Sequence, residues 1–491
     1  MVSLKQVELS KKLNPFLTSR YSNVILTFVV LSLLFLNTTV VFGNRASEGP
    51  DVILVSIDDL RADHLGCYGY SRHTSPHIDA FAKGGIIFSH CYVPEPWTLP
   101  SHVSMLTSLY PITHGVDKTH RLEPAVVTLA EVLKKEGYQT AGFVSGGPWT
   151  SAGYGFGQGF DIYSAGQPER LAEYQNESIK NHLKKNKEKK SFLFIHYFDV
   201  HSDSGKLPYD APAPYNKLFS ADYSGSFEGW DRDLFASKDL AKANRNQIKL
   251  SAEGLHYITS LYDNGIAYMD KCLGDLFDVL KAMDRFDNSL IIITADHGEE
   301  FQEHGYLLHD NPYYYEEIVR VPLIIKLPKG CFEDVQKGRW VDNLVESIDI
   351  MPTILDFLDI ESPRMEGKSL RGVMSGTGRG KEHVFGFGSG GNLFVRSERW
   401  KLLNDRGLAE GRFKLFDLHR DPMERMNLIG KGLDAEKILK GKLKEQMEVS
   451  QKLRKEFLAE KSVSADIEGE DGDVSLTEEE KEKLRALGYL D

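Results

Sequence analysis

Four segments of the chain are continuous apolar runs rich in β-branched residues, and amphipathic segments separate them. Strands buried on both faces read as unbroken apolar runs, whereas strands covered on one face alternate apolar and polar residues. Helical apolar spacing occupies residues 126–137 and 256–283. Strands that alternate with helices predict an α/β fold, in which helices sandwich a mostly parallel sheet. The four runs are 52–56, 191–198, 289–297 and 321–328.

The pattern changes near residue 385, where short β segments separated by turns begin. These segments predict a small C-terminal antiparallel sheet. A charged helix over 434–461, an acidic linker and a last short helix follow. The sequence therefore predicts a main α/β domain over 50–384, a small-sheet subdomain over 385–430 and a charged helical tail over 431–491.

Residues 1–45 belong to neither domain. Three lysines and an arginine precede the apolar run 24–36, and small residues follow the run. This order is typical of an export signal, and it predicts a periplasmic or extracellular protein. The apolar run extends to residue 42 if its threonines are counted. A single uncleaved membrane anchor over 24–42 therefore fits as well as a cleaved signal.

Charge and cysteine content exclude two classes of site. The formal net charge of −12 argues against a nucleic-acid partner, because phosphates require a basic face. No pair of cysteines has the Cys-x-x-Cys spacing of a zinc site. One or two disulfides are compatible with export, and free buried thiols are the favoured interpretation. The cysteines are Cys67, Cys91, Cys272 and Cys331.

Acidic residues and one histidine stand at the ends of two predicted strands. Asp58 and Asp59 follow the first run, and Asp296 and His297 end the third. In parallel sheets, ligands bind outside the carboxyl ends of the strands, so these side chains are expected to converge. Carboxylates suit Mg, Ca and Mn, and a neutral imidazole binds many divalent ions. The sequence predicts one divalent metal ion with an open coordination position.

Further histidines follow the strand and loop that flank these residues. His201 lies just past the second run, and His309 lies in the segment after His297. We expect both to face the cleft, where they contact substrate or hold a second ion. His196 lies inside its run and is interpreted as a core histidine, and His304 is interpreted as a surface residue.

The stretch WTLPSHVSMLTSLYP, residues 97–111, begins an amphipathic helix. Threonine is a good N-cap residue, and a proline in the first turn suits a helix start. A helix start also concentrates free N–H groups and positive potential. Thr98 is therefore a candidate nucleophile if it touches the metal, because its hydroxyl then loses its proton more easily. Ser101 and His102 follow and are expected to touch the same substrate oxygens.

Six ordered motifs resemble those of the sulfatase family, within the alkaline-phosphatase-like superfamily. The resemblance runs from about residue 50 to about residue 430. It implies a large α/β domain with a small C-terminal sheet, a nucleophile at a helix start and one divalent metal. Calcium is the usual ion in sulfatases, and manganese or zinc also fits. The motifs are SIDDLRADHLGCYGY, PWTLPSHVSMLTSLYPITHGV, ITADHGEEFQEHG, RVPLIIKLP, SIDIMPTILDFL and KLFDLHRDPMERMNL.

The resemblance also implies a role for each matched position. The metal-ligand positions carry Asp58, Asp59, Asp296 and His297. The nucleophile position carries Thr98. His201 matches a substrate-contacting histidine, His309 matches a lysine that contacts the sulfate, and His102 matches the arginine that ends the sulfatase signature.

Departures from the family pattern bear on the substrate. Sulfatases convert a cysteine or serine to formylglycine, whereas oxidation of a threonine side chain gives a ketone, so no formylglycine is expected. The segment GYQTAGFVSGGPW also lacks the lysine and histidine that usually follow. A direct threonine alkoxide suits phosphoryl transfer. The sequence predicts a metal-dependent hydrolase of phosphate, phosphodiester or phosphonate esters, with sulfate esters less favoured.

Two alternatives remain open at this point. One is transfer of a phosphoryl group to a lipid or glycan instead of water. The other is a degenerate member that binds a glycan. The leaving group, on a small-molecule, lipid or glycan ester, is expected to contact loops over 145–190 and 203–250. The aromatic residues there are Trp149, Tyr154, Tyr174 and Trp230.

Overall fold

A computed structural model describes most of the chain after residue 48. The described ranges are 49–165, 172–202, 209, 211–222, 251–309, 313–331, 335–388, 390–404 and 412–464, with side chains described as far as residue 460. Contacts divide the chain into residues 1–49 and a compact unit, Pro50–Asp491, to which every element below belongs. The predicted export segment, the linker after 464 and the last helix lie outside the described residues. No helix in the described ranges is long and apolar enough to cross a membrane.

The described strands form a main sheet and two smaller sheets. The strands of the main sheet are β1 (Asp51–Ile57), β2 (Ile86–Tyr92), β3 (Gln139–Val144), β4 (Ile162–Ala165), β5 (Ser191–Tyr197), β6 (Ser289–Thr294), β9 (Arg320–Lys326) and β10 (Arg339–Glu346). These eight strands lie in the order β10-β2-β9-β6-β1-β5-β3-β4. The short pair β7 (Glu300–Phe301) and β8 (Leu307–Leu308) lies between them in sequence.

Helices connect most of these strands and flank the sheet. They are α1 (Pro76–Lys83), α2 (Thr98–Thr107), α3 (Pro111–His114), α4 (Leu129–Lys135), α5 (Ala172–Lys185), α6 (Ala252–Ala282), α7 (Glu316–Val319), α8 (Ile350–Phe357), α9 (Arg371–Ser375) and α10 (Asp434–Ser464). Local sequence explains individual boundaries. Helix α4 begins at a capping box, in which Thr128 and Glu131 satisfy each other's backbone N–H groups.

Strand β1 lies near the centre of the main sheet and is buried along its whole length. It pairs in parallel with β5 on one side and with β6 on the other. Burial on both faces accounts for the unbroken apolar run, because such a strand has no solvated face that needs polar residues. Strand β9 is the exception in direction, since it runs antiparallel between β6 and β2.

The small C-terminal sheet contains β11 (Val384–Phe387), β12 (Leu393–Arg396), β13 (Trp400–Asn404) and β14 (Phe413–Asp417), paired antiparallel in that order. Its apolar side packs with residues of α10, including Leu439 and Leu443. The predicted fold class is therefore confirmed in both parts: a mostly parallel sheet between helices, and a small antiparallel sheet near the C-terminus. The four cysteines are all free, and Cys331 is exposed rather than buried.

Candidate active site

Two adjacent strands of the main sheet deliver the acidic residues to one edge. Asp58 and Asp59 follow β1, and Asp296 and His297 follow β6. Since β1 and β6 are parallel neighbours with Ser56 opposite Thr294, their carboxyl ends emerge side by side. The structure therefore shows the predicted convergence of these four side chains, all of which are fully buried.

A tight turn after β1 points Asp58 and Asp59 in different directions. Asp59 has a φ of 59°, in the left-handed region that few residues other than glycine adopt. The hydroxyl of Tyr262, on α6, donates to the Asp59 carbonyl oxygen at 2.7 Å and accepts from the Arg61 N–H at 2.8 Å. Helix α6 thus holds the turn in its strained conformation.

The first group of ligand-type atoms comprises one oxygen of Asp58, one of Asp296 and Nε2 of His297, all within 4.8 Å of one another. His297 Nε2 lies 3.6 Å from Asp58 Oδ1 and 3.5 Å from Asp296 Oδ2. Neither oxygen of Asp58 accepts a hydrogen bond of normal geometry, nor does Asp296 Oδ2. Buried carboxylate oxygens without donors are costly unless a cation compensates them.

Thr98 lies against this group. Its Oγ1 is 3.4 Å from His297 Nε2, and the side chain is buried. Helix α2 begins at Thr98, as the sequence predicts, and Trp97 occupies the N-cap position. Thr98 has helical geometry, and its hydroxyl faces His297. Ser101 fixes the helix to the strand end by donating to the Asp296 carbonyl oxygen at 2.6 Å.

His102 lies in the same region, but both of its ring nitrogens have partners within the protein. Nδ1 is 2.8 Å from the Thr98 carbonyl oxygen, so it carries the proton and donates. Nε2 then accepts from the Ser56 hydroxyl at 2.9 Å. Burial, and the neighbouring charge of His196, keep the pKa of His102 well below its usual value. The ring is thus neutral and braces the first turn of α2 against β1.

His196, interpreted from the sequence as a core residue, belongs to the site. Its Nε2 lies 3.2 Å from Asp58 Oδ2, and its Nδ1 donates to the Ser145 carbonyl oxygen at 2.8 Å. The parallel register pairs Ser56 with His196. Ser56 and Asp58 are two residues apart, so their side chains lie on the same face of the sheet. His196, which is opposite Ser56 on the neighbouring strand β5, is therefore close to Asp58. The sequence alone could not reveal this contact, because the register is known only once β1 and β5 are known to be neighbouring strands.

A second group of ligand-type atoms surrounds Asp59. Atoms of Asp59, His201 and His309 lie within 4.8 Å of one another. His309 Nδ1 is 3.2 Å from Asp59 Oδ1, and His201 Nε2 is 3.7 Å from Asp59 Oδ2. The structure therefore brings both predicted histidines close to Asp59.

Glu299 joins the second group, and the sequence analysis did not select it. Its side chain is fully buried, and its Oε1 lies 3.5 Å from His309 Nδ1 without a normal hydrogen bond. Its other oxygen, Oε2, accepts from the Tyr209 hydroxyl at 3.0 Å. The only hint in the sequence was its place two residues after His297.

Protonation of the site reflects a shortage of positive charge. Burial and the negative charge of Asp58 raise the pKa of Asp296 to about 7. Burial and the negative charge of Asp59 raise the pKa of Glu299 well above its usual value. Burial opposes charge on His297, but Asp296 and Asp59 raise its pKa to about 9. In the described part of the chain, every ion-pair partner of Asp58, Asp59 and Asp296 is a histidine.

The remaining predicted residues lie outside this cluster. His304 stacks on Tyr315 at a ring distance of 3.5 Å and is not a surface residue. Among the loop aromatics, Trp149 and Tyr154 are buried and pack in the core, whereas Tyr174 is exposed on α5. Trp230 falls outside the described residues.

The family model described as Sulfatase matches residues 50–360. The chain belongs to the sulfatase family. A second model, described as N-sulphoglucosamine sulphohydrolase, C-terminal, matches residues 302–453 and so covers the small sheet of this sulfatase-family member. The match places the chain among ester hydrolases of the alkaline phosphatase superfamily.

Relatives of this sulfatase-family chain include enzymes of both sulfate and phosphorus chemistry. An ulvan-active sulfatase of Formosa agariphila is 26% identical over 411 residues, which cover 78% of this chain and 77% of that protein. The multifunctional alkaline phosphatase superfamily protein PehA of Trinickia caryophylli is 27% identical over 65% of this chain and 76% of its own. The phosphonate monoester hydrolase of Agrobacterium radiobacter has the same fold, with a TM-score of 0.64 at 19% identity over 83% of this chain and 96% of that chain.

A divalent metal, which sulfatases typically bind, fits the residues at this site. The donor set of two carboxylates and an imidazole is suited to divalent ions. Nδ1 of His297 faces two acceptors, Asp59 Oδ1 at 2.9 Å and the Gly298 carbonyl oxygen at 3.1 Å. When His297 is neutral, its proton therefore sits on Nδ1 and leaves Nε2 as the ligand atom.

Proposed function

We propose that the chain is an exported, metal-dependent hydrolase of phosphate, phosphodiester or phosphonate esters, with Thr98 as the direct nucleophile. The observation that carries the proposal is the position of the Thr98 hydroxyl, 3.4 Å from His297 Nε2 at the first turn of α2. The donor-free oxygens of Asp58 and Asp296 face the same point. Export is proposed from the apolar segment over 24–42 alone.

Three side chains would hold the metal nearest to the nucleophile: Asp58, Asp296 and His297. A divalent ion there supplies positive charge that lowers the pKa of the threonine hydroxyl and stabilises charge on the transferring oxygens. Its identity is proposed only as a divalent cation, with calcium, manganese and zinc as candidates. Ser101 and His102 keep Thr98 in place, through the Asp296 carbonyl oxygen and the Thr98 carbonyl oxygen respectively.

The proposed reaction has two steps at one phosphorus atom. Thr98 Oγ1 attacks, its bond to phosphorus forms, the bond to the leaving oxygen breaks, and that oxygen takes a proton. Water then attacks the same phosphorus, the bond to Thr98 breaks, and threonine regains its proton. The backbone N–H groups of Thr98 and Leu99 at the start of α2 would stabilise the negative charge that develops on the non-bridging oxygens.

Phosphorus esters are preferred over sulfate esters for a chemical reason. Threonine cannot become the aldehyde hydrate of formylglycine, so release of product must proceed by attack on a phosphothreonine or sulfothreonine ester. In addition, the position that matches the signature arginine carries His102, which is buried and neutral in this structure. The set of cationic side chains that would hold a sulfate is therefore incomplete.

The test compares four ester classes on one preparation: aryl sulfate, phosphate monoester, phosphodiester and phosphonate monoester. The wild type should hydrolyse a phosphorus ester fastest with added Mn²⁺, Zn²⁺ or Ca²⁺. Thr98→Ala should lose turnover while it keeps its bound metal, and Thr98→Ser should keep part of the rate. Turnover by Thr98→Ala near the wild-type rate, or a wild-type preference for aryl sulfate, would contradict the proposal.

A further inference from the structure

A pair of tryptophan rings lies beside the active site, next to the residue proposed as the nucleophile. His196, at the site, donates through Nδ1 to the carbonyl oxygen of Ser145, just after β3, at 2.8 Å. Trp149 lies on the short 3-10 helix that follows this contact. Its ring meets the ring of Trp97 edge to face, with the ring centres 5.0 Å apart. Since Trp97 directly precedes Thr98, the pair of rings adjoins the start of α2.

Lys118 contacts this pair of rings from another segment of the chain. Its Nζ lies over the ring of Trp97, 5.9 Å from the ring centre. Its backbone is held nearby, because the Tyr154 hydroxyl donates to the Lys118 carbonyl oxygen at 3.3 Å. The Tyr154 ring in turn lies 6.0 Å from the ring of Trp149. Trp97 is partly buried and Lys118 is exposed, so a solvent-accessible ammonium group stands beside the residue that precedes the nucleophile.

We propose that Lys118 is a specificity-determining residue, which binds an anionic group on the substituent that stays on phosphorus during the reaction. In phosphoryl transfer the attacking and leaving oxygens lie roughly in line, so the leaving group points away from Thr98. Lys118 and Trp97 lie on the Thr98 side and therefore meet the retained substituent. The inference rests on the proposed function and narrows its substrates to phosphodiesters or phosphonate monoesters whose retained substituent is anionic.

Charge gives a reason for a lysine at this place. The chain has a formal net charge of −12, which tends to repel an anionic substrate unless a local cation compensates it. His102, at the position of the family's arginine, is buried and neutral and does not supply that charge. Lysine carries a compact charge on a flexible stem. Since a cation is held only weakly over an exposed ring, Nζ can leave Trp97 to meet an anionic partner.

The experiment compares three phosphodiesters that share a nitrophenyl leaving group and differ in the retained substituent, which is benzyl, carboxybenzyl or sulfobenzyl. With Mn²⁺ added, wild type should have a kcat/KM about tenfold higher for each anionic ester than for the neutral one, because a hydrogen bond to a charged group contributes that much. The gain should appear in KM, since the contact is already made in the bound ground state, and it should shrink at high salt. Lys118→Met should lose the preference, and Lys118→Arg should keep it.

Lys134→Met is the matched control, because it removes the same charge from an exposed pair with Asp161 at 2.8 Å on α4. It should keep the wild-type preference. Equal kcat/KM values for the three esters in wild type, or an unchanged preference in Lys118→Met, would overturn the role of Lys118 and leave the proposed hydrolysis intact. Failure of wild type to hydrolyse any of the three esters would contradict the proposed function and this inference with it.

Discussion

Two regions of the molecule each contain several buried charged side chains. These charges are neutralised in opposite ways in the two regions. The acid–histidine cluster (Asp58, Asp59, Asp296, Glu299, His201, His297 and His309) contains carboxylates whose ion-pair partners in the described chain are histidines. The lysine network (Arg396, Lys401, Glu316 and Glu424) joins α7 to the small sheet through permanent cations.

In the lysine network, permanent cations pair with both buried glutamates. Lys401 is fully buried, and its Nζ lies 2.9 Å from Glu316 Oε1 and 3.1 Å from Glu424 Oε1. Tyr92 donates to the other oxygen of Glu316 at 2.7 Å. Although burial opposes ionisation of Glu316, Lys401 and Arg396 lower its pKa and keep it charged. In the cluster, by contrast, every ion-pair partner of Asp58, Asp59 and Asp296 within the described ranges is a histidine, whose charge depends on its protonation.

The largest expected effect is a loss of catalytic activity when a residue of the acid–histidine cluster is substituted. Asp58→Asn removes one ligand charge without changing side-chain shape, so kcat/KM should fall by about a thousandfold, since a metal contributes several kcal/mol to the transition state. The free energy of unfolding without metal should change little or rise. Initial rates and urea titrations measure both quantities.

The matched control for that variant is Asp275→Asn, because Asp275 is half exposed and pairs with Lys271 on the surface of α6. Its rate should equal that of the wild type. A rate for Asp58→Asn close to that of the control would remove Asp58 from the site.

Lys401→Met should act on stability instead of chemistry. The methionine leaves Glu316 and Glu424 buried without their lysine, and breaking a buried pair in this way costs about 3–5 kcal/mol. Urea unfolding of the metal-free protein measures the loss, while kcat per folded molecule should stay near wild type. Lys440→Met, which breaks a partly exposed pair with Glu436, should cost less than about 1 kcal/mol. Equal losses in the two variants would show that the lysine network is not structural.

Metal binding should stabilise the protein independently of the lysine network. At a concentration 100 times its dissociation constant, an ion that binds only the folded state adds about 2.7 kcal/mol. We expect the same increment in wild type and in Lys401→Met, because the two regions share none of their ion-pair partners and effects at separate sites add. Thermal unfolding with and without Mn²⁺ measures the increments. A markedly smaller increment in Lys401→Met would mean that the regions are coupled.

The smallest predicted effect is a pH dependence within the lysine network. Burial raises the pKa of Glu424 from 4.5 to about 7, with Glu316 and Glu317 adding to the shift and Lys401 opposing it. Since the pKa is higher in the folded state, this group's contribution to stability is complete below pH 4.5 and is lost as pH rises to about 7.

Glu424→Gln removes that titration. Its stability relative to wild type should rise by about 1–2 kcal/mol between pH 5 and pH 7 and then level off. Urea unfolding at several pH values measures the difference. A difference that does not change with pH would contradict the raised pKa.

The sequence predicted the cluster's main acids because each follows an unbroken apolar run. Asp58 and Asp296 needed only the rule that parallel strands end at one edge of a sheet. The sequence analysis also selected Asp59, but the position of Glu299 beside His309 could not be predicted, because it depends on contacts such as that with Tyr209. His196 required the β1–β5 register.

Some features of the main sheet could not be predicted from the sequence either. Strand β2 contains Ser89 and His90, and β3 contains Gly142, so neither reads as a continuous apolar run. The antiparallel direction of β9 depends on where its connections run, and an apolar run carries no direction.

The most direct test of the account is to trap the covalent intermediate. Wild-type enzyme turning over a phosphate or phosphonate ester is quenched in acid, digested and analysed by mass spectrometry. The account predicts that the transferred group is attached to Thr98, in the peptide that also contains Trp97 and Ser101, and that Thr98→Ala shows no modified peptide. A transferred group on another residue, or continued turnover by Thr98→Ala, would contradict it.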